Sequence, residues 1–285
     1  MDYNNKESIS TLDECSELEQ IEINLLLKGI YLRYGFDFQN YAFTSIRRRI
    51  WYRIKAEKLT TVTALLEKVL HDSSTMERLY KDFSINVTEM FRDPSFFKSF
   101  RENIIPTLKE LPSIRIWHAG CSTGEEAYSM AILLHEEGLY NKARIYATDM
   151  NSDVLKHAQS GKFPLHRMQT YTGNYMNSGG RNSFSEYYTT DKNYAIFHTN
   201  LSSNIVFAQH NLVTDGSFNE FHIIICRNVM IYFDRELQDR VHQLFYDSLS
   251  PLGYLGLGSR EGLSYTNFSK LYKEVDKTER IYQKR

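Results

Sequence analysis

Cysteine is scarce in this 285-residue chain: there are three, Cys15, Cys121 and Cys226, far apart in sequence. That is too few and too scattered for a disulfide framework or a zinc cluster, and the spacing reads as reduced thiols. An excess of one charge is lacking too. The chain has 34 Lys and Arg against 35 Asp and Glu, so bulk electrostatic attraction to nucleic acid is not expected. No apolar run approaches the ~20 residues of a membrane-spanning helix. The nearest, "FHIIICRNVMIYF", is interrupted by Arg227 and Asn228. No charged-then-apolar leader opens the chain. These absences point to a cytoplasmic protein without membrane insertion or a nucleic-acid partner. A hydrophobic content of 42% and a charged content of 24% fit a soluble globular class. His118, Cys121, His210 and Cys226 lie singly at strand ends without paired ligand spacing, so no metal site is expected.

What is present is unevenly spread. Residues 1–27 carry one lysine against seven acids, and residues 1–14 read as a flexible tail. From Lys28 to Lys58 the balance reverses to a local net of +6. Within it, "FTSIRRRIWYRIK" places Phe43, Ile46, Ile50 and Ile54 on one helical face and Arg48, Arg49, Tyr52 and Lys55 on the other. Such a stripe suits a solvated helix or a docking face for an acidic partner. Helical patterning continues through "TTVTALLEKVL" and "MERLYKDFSI", so residues 15–85 read as an all-α domain.

After Pro112 the pattern changes. "IRIWHAG", "ARIYATD", "NIVFAQHNL", "FHIIICRN" and "GYLGLGS" read as strands that alternate with helices, among them "EEAYSMAILLHEEG" and "DRELQDRVHQLFYDSL". That alternation predicts an α/β domain over 86–285 with a parallel sheet covered on both faces. Residues 163–200, rich in aromatics mixed with Gly, Asn, Ser and Thr, break it and read as an inserted subdomain of short antiparallel strands and turns.

The chemistry concentrates at "HAGCSTGEEAYS", His118 to Ser129. A glycine-rich turn between a first strand and a helix is a nucleotide-cradling arrangement in open α/β sheets. Here the second glycine is followed by Glu125 and Glu126 instead of Lys-Ser/Thr, so phosphate would be repelled. A phosphate-free adenosine carrying positive charge fits better, and S-adenosylmethionine is such a ligand. Asp149 follows Glu125 by 24 residues, at the end of the second strand, where an acid can take both ribose hydroxyls. The same residues also suit local roles, Asp149 as a helix cap and the glutamates as a helix's acidic first turn.

"NVTEMFRDPSFF" (86–97), "AGCSTGEEAYS" and "HNL … ICRNVMIYF" together resemble the CheR family, the bacterial chemotaxis receptor methyltransferases. The resemblance implies an N-terminal all-α domain followed by a Rossmann-like S-adenosylmethionine-dependent methyltransferase domain with a small inserted β-subdomain. It implies transfer of methyl to glutamate side chains on the cytoplasmic helices of chemoreceptors, with S-adenosyl-L-homocysteine as product. Asn86, Thr88, Arg92, Glu125, Asp149, Asn211, Leu212, Arg227 and Asn228 match cofactor-contacting positions. Tyr232 matches a tyrosine beside the transferred methyl, Arg92 and Tyr232 together would orient the cofactor end and the substrate carboxylate, and Arg48, Arg49 and Arg53 fall in the element that contacts the receptor. The implied partners are the receptor's helical domain and, in some members, a receptor C-terminal peptide bound by the insert; the chain reads as a monomer. Ala127 departs from the family, where proline is common. Two rival readings are a methyltransferase with a nucleobase acceptor and a catalytically silent or differently targeted signalling adaptor. "RNVMIYF" lacks the Asn/Asp-Pro-Pro-aromatic of the first, and the intact site residues weigh against the second.

Overall fold

The computed structural model describes residues 16–84, 87–264 and 266–285. Cys15, Asn86 and the tail expected over 1–14 lie outside the described residues. The chain divides into two compact units at residues 85/86.

The first unit is all helical: α1 (Glu17–Tyr34), α2 (Phe43–Ala56), α3 (Val62–His71) and α4 (Ser73–Phe83). Side-chain caps open three of them: Ser16, Thr61 and Asp72 each accept a backbone N–H from the first turn. Its core takes one face from each helix, with Ile23, Leu26 and Ile30 of α1 against Leu65 and Val69 of α3. As the three- and four-residue spacing predicts, Ile46, Ile50 and Ile54 of α2 are buried, each stabilising the unit by about 2 kcal/mol.

The second unit opens with α5 (Pro94–Asn103) and α6 (Ile105–Leu108) and continues through β1 (Ile114–Ala119), α7 (Glu125–Glu136), β2 (Ala143–Asp149), α8 (Ser152–Ser160) and β3 (Lys162–Pro164). Then come α9 (Met168–Asn177), β4 (Tyr188–Asp191), β5 (Tyr194–Phe197), α10 (Thr199–Ser202), β6 (Ile205–Gln209) and β7 (Phe221–Cys226). It closes with α11 (Arg235–Ser248), β8 (Leu249–Leu257), β9 (Tyr272–Asp276) and β10 (Ile281–Lys284). Seven strands form one sheet in the order β6-β2-β1-β7-β8-β10-β9. The first five are mutually parallel, and β10 runs antiparallel to both β8 and β9. The sheet is therefore mixed, not all parallel: the C-terminal hairpin β9–β10 extends the predicted set.

The insert departs from its predicted texture. It does hold a three-stranded antiparallel sheet, order β3-β5-β4, but the stretch after β3 forms the ten-residue helix α9. Gly173 and Asn174 make α9 a weak helix in isolation, so packing holds it. Tyr171 and Tyr175 are fully buried, and the ring of Tyr175 packs against Phe91 and Phe184. The Tyr175 and Tyr187 hydroxyls both donate to Glu136 at the end of α7, which also pairs with Arg101.

Candidate active site

The C-terminal ends of β6, β2, β1 and β7 lie side by side, with Asp149 paired to Gln209 and Thr148 to Ala119. Open parallel sheets place their ligand crevice along that rim. From β1 the chain turns through Gly120–Gly124 into α7. Gly120 and Gly124 hold φ of +80° and +93°, and a Cβ on them would come within 2.5 Å of Val229 and 2.8 Å of Ala158. Both glycines are thus fixed by backbone conformation and by close packing. Ser122, which is not glycine, also adopts a positive φ of 51°, and such strain concentrates at functional loops.

Ser122 N–H donates to Asp149 Oδ2 at 2.9 Å, and Asn151 N–H donates to Oδ1 at 3.0 Å. Asp149 does not cap α8; Asn151 does, accepting from Asp153 N–H. Burial pushes the Asp149 carboxyl above its ordinary pKa, against the pull of those N–H groups. Glu125, 2% exposed, accepts from the Thr123 hydroxyl at 2.6 Å and the Tyr171 hydroxyl at 3.3 Å. Arg167 stands 4.0 Å away. Burial raises the Glu125 carboxyl as well.

Glu126 faces other partners. Its carboxylate meets His118 Nδ1 at 3.0 Å and accepts from Arg227 Nη1 at 2.9 Å. The other Nη group of Arg227 donates to Asp93 at 2.6 Å and to the Arg92 carbonyl at 3.1 Å, and the guanidinium lies 4.2 Å over the Phe96 ring. The Arg227 side chain is 2% exposed and both terminal nitrogens bind protein. It therefore positions residues 92–93, in a stretch where Phe91 and Asp93 take positive φ. Phe91 N–H donates to Ser129, and Arg167 and Asn174 of the insert donate to the Thr88 and Met90 carbonyls. Segment 87–93 is thereby pinned by α7, the end of β7 and the insert. Arg92 itself is half-buried and donates to the Val87 carbonyl.

The remaining rim residues follow. Asn211, just past β6, donates through its N–H to Asp215 and accepts from Val213 N–H; Leu212 is half-buried beside it. Asn228 has φ +61°, and Tyr232 ends a short 3-10 turn, half-buried. Glu261, which the sequence reading did not single out, organises this loop. It is 7% exposed and receives four backbone N–H groups, from Asn228, Val229, Ile231 and Gly258, at 2.7 to 3.3 Å. Arg48, Arg49 and Arg53 belong to the helical unit. There Arg48 is exposed, whereas Arg53 donates to Asp82 at 2.6 Å and to Glu57 at 3.2 Å.

A mixed, Rossmann-like sheet with an acidic glycine loop defines a methyltransferase class. The "CheR methyltransferase, SAM binding domain" matches residues 86–281, and the "CheR methyltransferase, all-alpha domain" matches 21–84. The chain belongs to the CheR family of S-adenosylmethionine-dependent methyltransferases. It is 46% identical over 264 residues to a Pseudomonas putida protein that carries the methyltransferase name Cher3, covering 93% of this chain and 97% of that one. It is 31% identical to the chemotaxis protein methyltransferase of Listeria innocua, covering 80% and 84%, and 28% identical to that of Salmonella typhimurium, covering 86% and 83%.

Proposed function

We propose that the chain methylates glutamate side chains on the cytoplasmic helices of a chemoreceptor, forming methyl esters and releasing S-adenosyl-L-homocysteine. The observation that carries the reading is the pair of carboxylates, buried Glu125 and half-buried Asp149, joined through the loop Ser122–Thr123. Two acids and no lysine suit a cationic, phosphate-free adenosine, so the donor set fits S-adenosylmethionine. Names borne by relatives, chemotaxis protein methyltransferases, support the receptor as acceptor.

Asp149 would take the ribose and Glu125 the methionine end, with Asn211 and Leu212 beside the base. Thr88, Arg92 and Asn228 would complete the cradle, Arg227 acting through the backbone it holds; Asn86 is assigned from the resemblance alone. S-adenosylmethionine supplies a methyl group on a sulfonium. A glutamate acceptor is ionised at neutral pH, with a pKa near 4.3, so no general base is needed. The protein's task is alignment, worth up to about 7–11 kcal/mol, together with exclusion of water. Arg92 and Tyr232 would orient the acceptor carboxylate against the methyl group.

Docking would fall to α2. Arg48, Tyr52 and Lys55 are exposed on its outer face, with Arg49 half-buried between them. Arg53, committed to Asp82 and Glu57, serves the bundle instead. In the insert β4 pairs only with β5 among the described residues, an open edge suited to strand addition by a receptor C-terminal peptide.

The test is incubation of the protein with methyl-labelled S-adenosylmethionine and receptor-bearing membranes, followed by base. Base-labile label on a receptor, lost in Asp149→Ala together with cofactor binding, is the expected result. Unchanged cofactor affinity in that variant would sink the ribose assignment.

A further inference from the structure

Behind the loop that carries Asn228 and Tyr232, a cavity of about 460 Å³ opens between α11 and the turn after β8. Its lining includes Arg235, Asp239 and His242 of α11, Arg260 and Glu261 of the turn, and Arg280 just before β10. Met230 and Ile231 close one side. Small-molecule sites commonly enclose roughly 300–1,000 Å³.

Two features distinguish this cavity from a packing gap. The first is cationic. Among the described residues, neither Arg260 nor Arg280 has an acidic partner. Glu261, the acid in the same wall, has both oxygens filled by four backbone N–H groups. The second is a pair of unpartnered buried polar atoms. His242 is 2% exposed with no partner on Nδ1, and Asp239 Oδ1 is buried without a donor. Burial lowers the His242 pKa to about 4, so the ring is neutral at pH 7, with one nitrogen a donor and the other an acceptor. Buried polar atoms are normally hydrogen-bonded, and orphans of this kind call for a ligand or water.

An inorganic anion would satisfy the arginines and leave the two buried atoms orphaned. A neutral base would do the reverse. The ligand must carry negative charge and, away from it, N–H donors. A guanine nucleotide has both, since its base presents adjacent N–H groups that a carboxylate can accept and its phosphate suits paired guanidiniums.

We propose that this cavity is a second ligand site, taking a guanosine monophosphate-like nucleotide with phosphate on Arg260 and Arg280 and base on Asp239 and His242. The site is distinct from the methyl-donor rim and stands whatever the acceptor of the methyl group is. Because Met230, Ile231 and Glu261 belong to its walls, its occupant touches the loop that holds Asn228 and Tyr232.

The test is calorimetric titration of the full chain, already saturated with S-adenosyl-L-homocysteine, with guanosine 5′-monophosphate, guanosine or inorganic phosphate in separate runs. Expected are binding of the nucleotide at one site and a loss of at least about tenfold in the Arg260→Ala/Arg280→Ala double variant. Asp239→Asn should weaken the nucleotide but not phosphate, with circular dichroism showing an unchanged fold. Three results overturn the proposal: no binding at millimolar nucleotide, unchanged affinity in the arginine double variant, or binding only when S-adenosyl-L-homocysteine is absent. Phosphate binding as tightly as the nucleotide would overturn the nucleoside assignment. Asp149→Ala should lose S-adenosyl-L-homocysteine and keep the nucleotide, which separates failure of this site from failure of the methyl-donor reading.

Discussion

Glu125 and Glu126 are neighbours with opposite fates. Glu126 is met within the protein by the His118 ring and the Arg227 guanidinium, and despite burial its carboxyl sits below the ordinary range. Glu125 has two hydroxyl partners and a distant guanidinium, and burial lifts its carboxyl. A raised carboxyl pKa means that folding disfavours the ionised form, so its charge lowers stability at neutral pH. Glu125→Gln should therefore leave the melting temperature of the ligand-free protein unchanged or higher, while weakening S-adenosylmethionine by about tenfold or more. Scanning calorimetry and titration calorimetry measure the two; a melting temperature lowered by the variant would contradict the assignment. Burial lifts the Glu261 carboxyl as well, but its partners are four backbone N–H groups. Glu261→Gln keeps one acceptor and turns an amide against backbone donors, so unfolding free energy should fall by about 2–3 kcal/mol by urea titration. Glu125 and Asp149 were legible in the sequence because strand, loop, helix and strand follow one another locally. Glu261 was not, because the loop groups it holds lie 30 to 33 residues upstream and nothing in "GSREG" records them.

At the scale of elements, α2 was legible in one respect and not in another. Its buried isoleucines and outward Arg48, Tyr52 and Lys55 follow from spacing alone. That Arg53 would be tied to Asp82 depends on how α2 packs on α4, which periodicity does not encode. Reversing charge with Arg48→Glu/Lys55→Glu should slow receptor methylation by about tenfold, mainly through association, with cofactor affinity unchanged. The wild-type rate should fall with added salt and the variant's should respond less. Equal salt dependence would show that α2 is not the docking face. The elements missed were those made by context. Helix α9 has poor propensity and exists because Tyr171 and Tyr175 find buried partners; β9 is a short, highly charged edge strand with weak alternation.

The whole molecule consists of two separately organised units, and the change of periodicity after Pro112 falls inside the second, well past their division at 85/86. Among the described residues no helix is long and apolar enough to cross a membrane. In the helical unit one carboxylate ties α2, α3 and α4 together. Glu57 accepts from Arg78, Lys68 and Arg53, and these partners, Arg78 foremost, hold its pKa down to about 2. A depressed carboxyl adds stability above its ordinary pKa and loses it as pH falls toward 2. The stability difference between wild type and Glu57→Gln, read from urea midpoints followed by helical circular dichroism, should shrink on going from pH 7 to about pH 3. A difference independent of pH would show that the Glu57 cluster carries no net charge contribution.

The most direct test of the central claim is tandem mass spectrometry of a purified receptor cytoplasmic fragment after incubation with this protein and S-adenosylmethionine. Methyl groups on glutamate side chains, removed by mild base and absent with Asp149→Ala, are predicted. Methyl groups on lysine, arginine or another base-stable position, transferred by the wild-type protein, would contradict it.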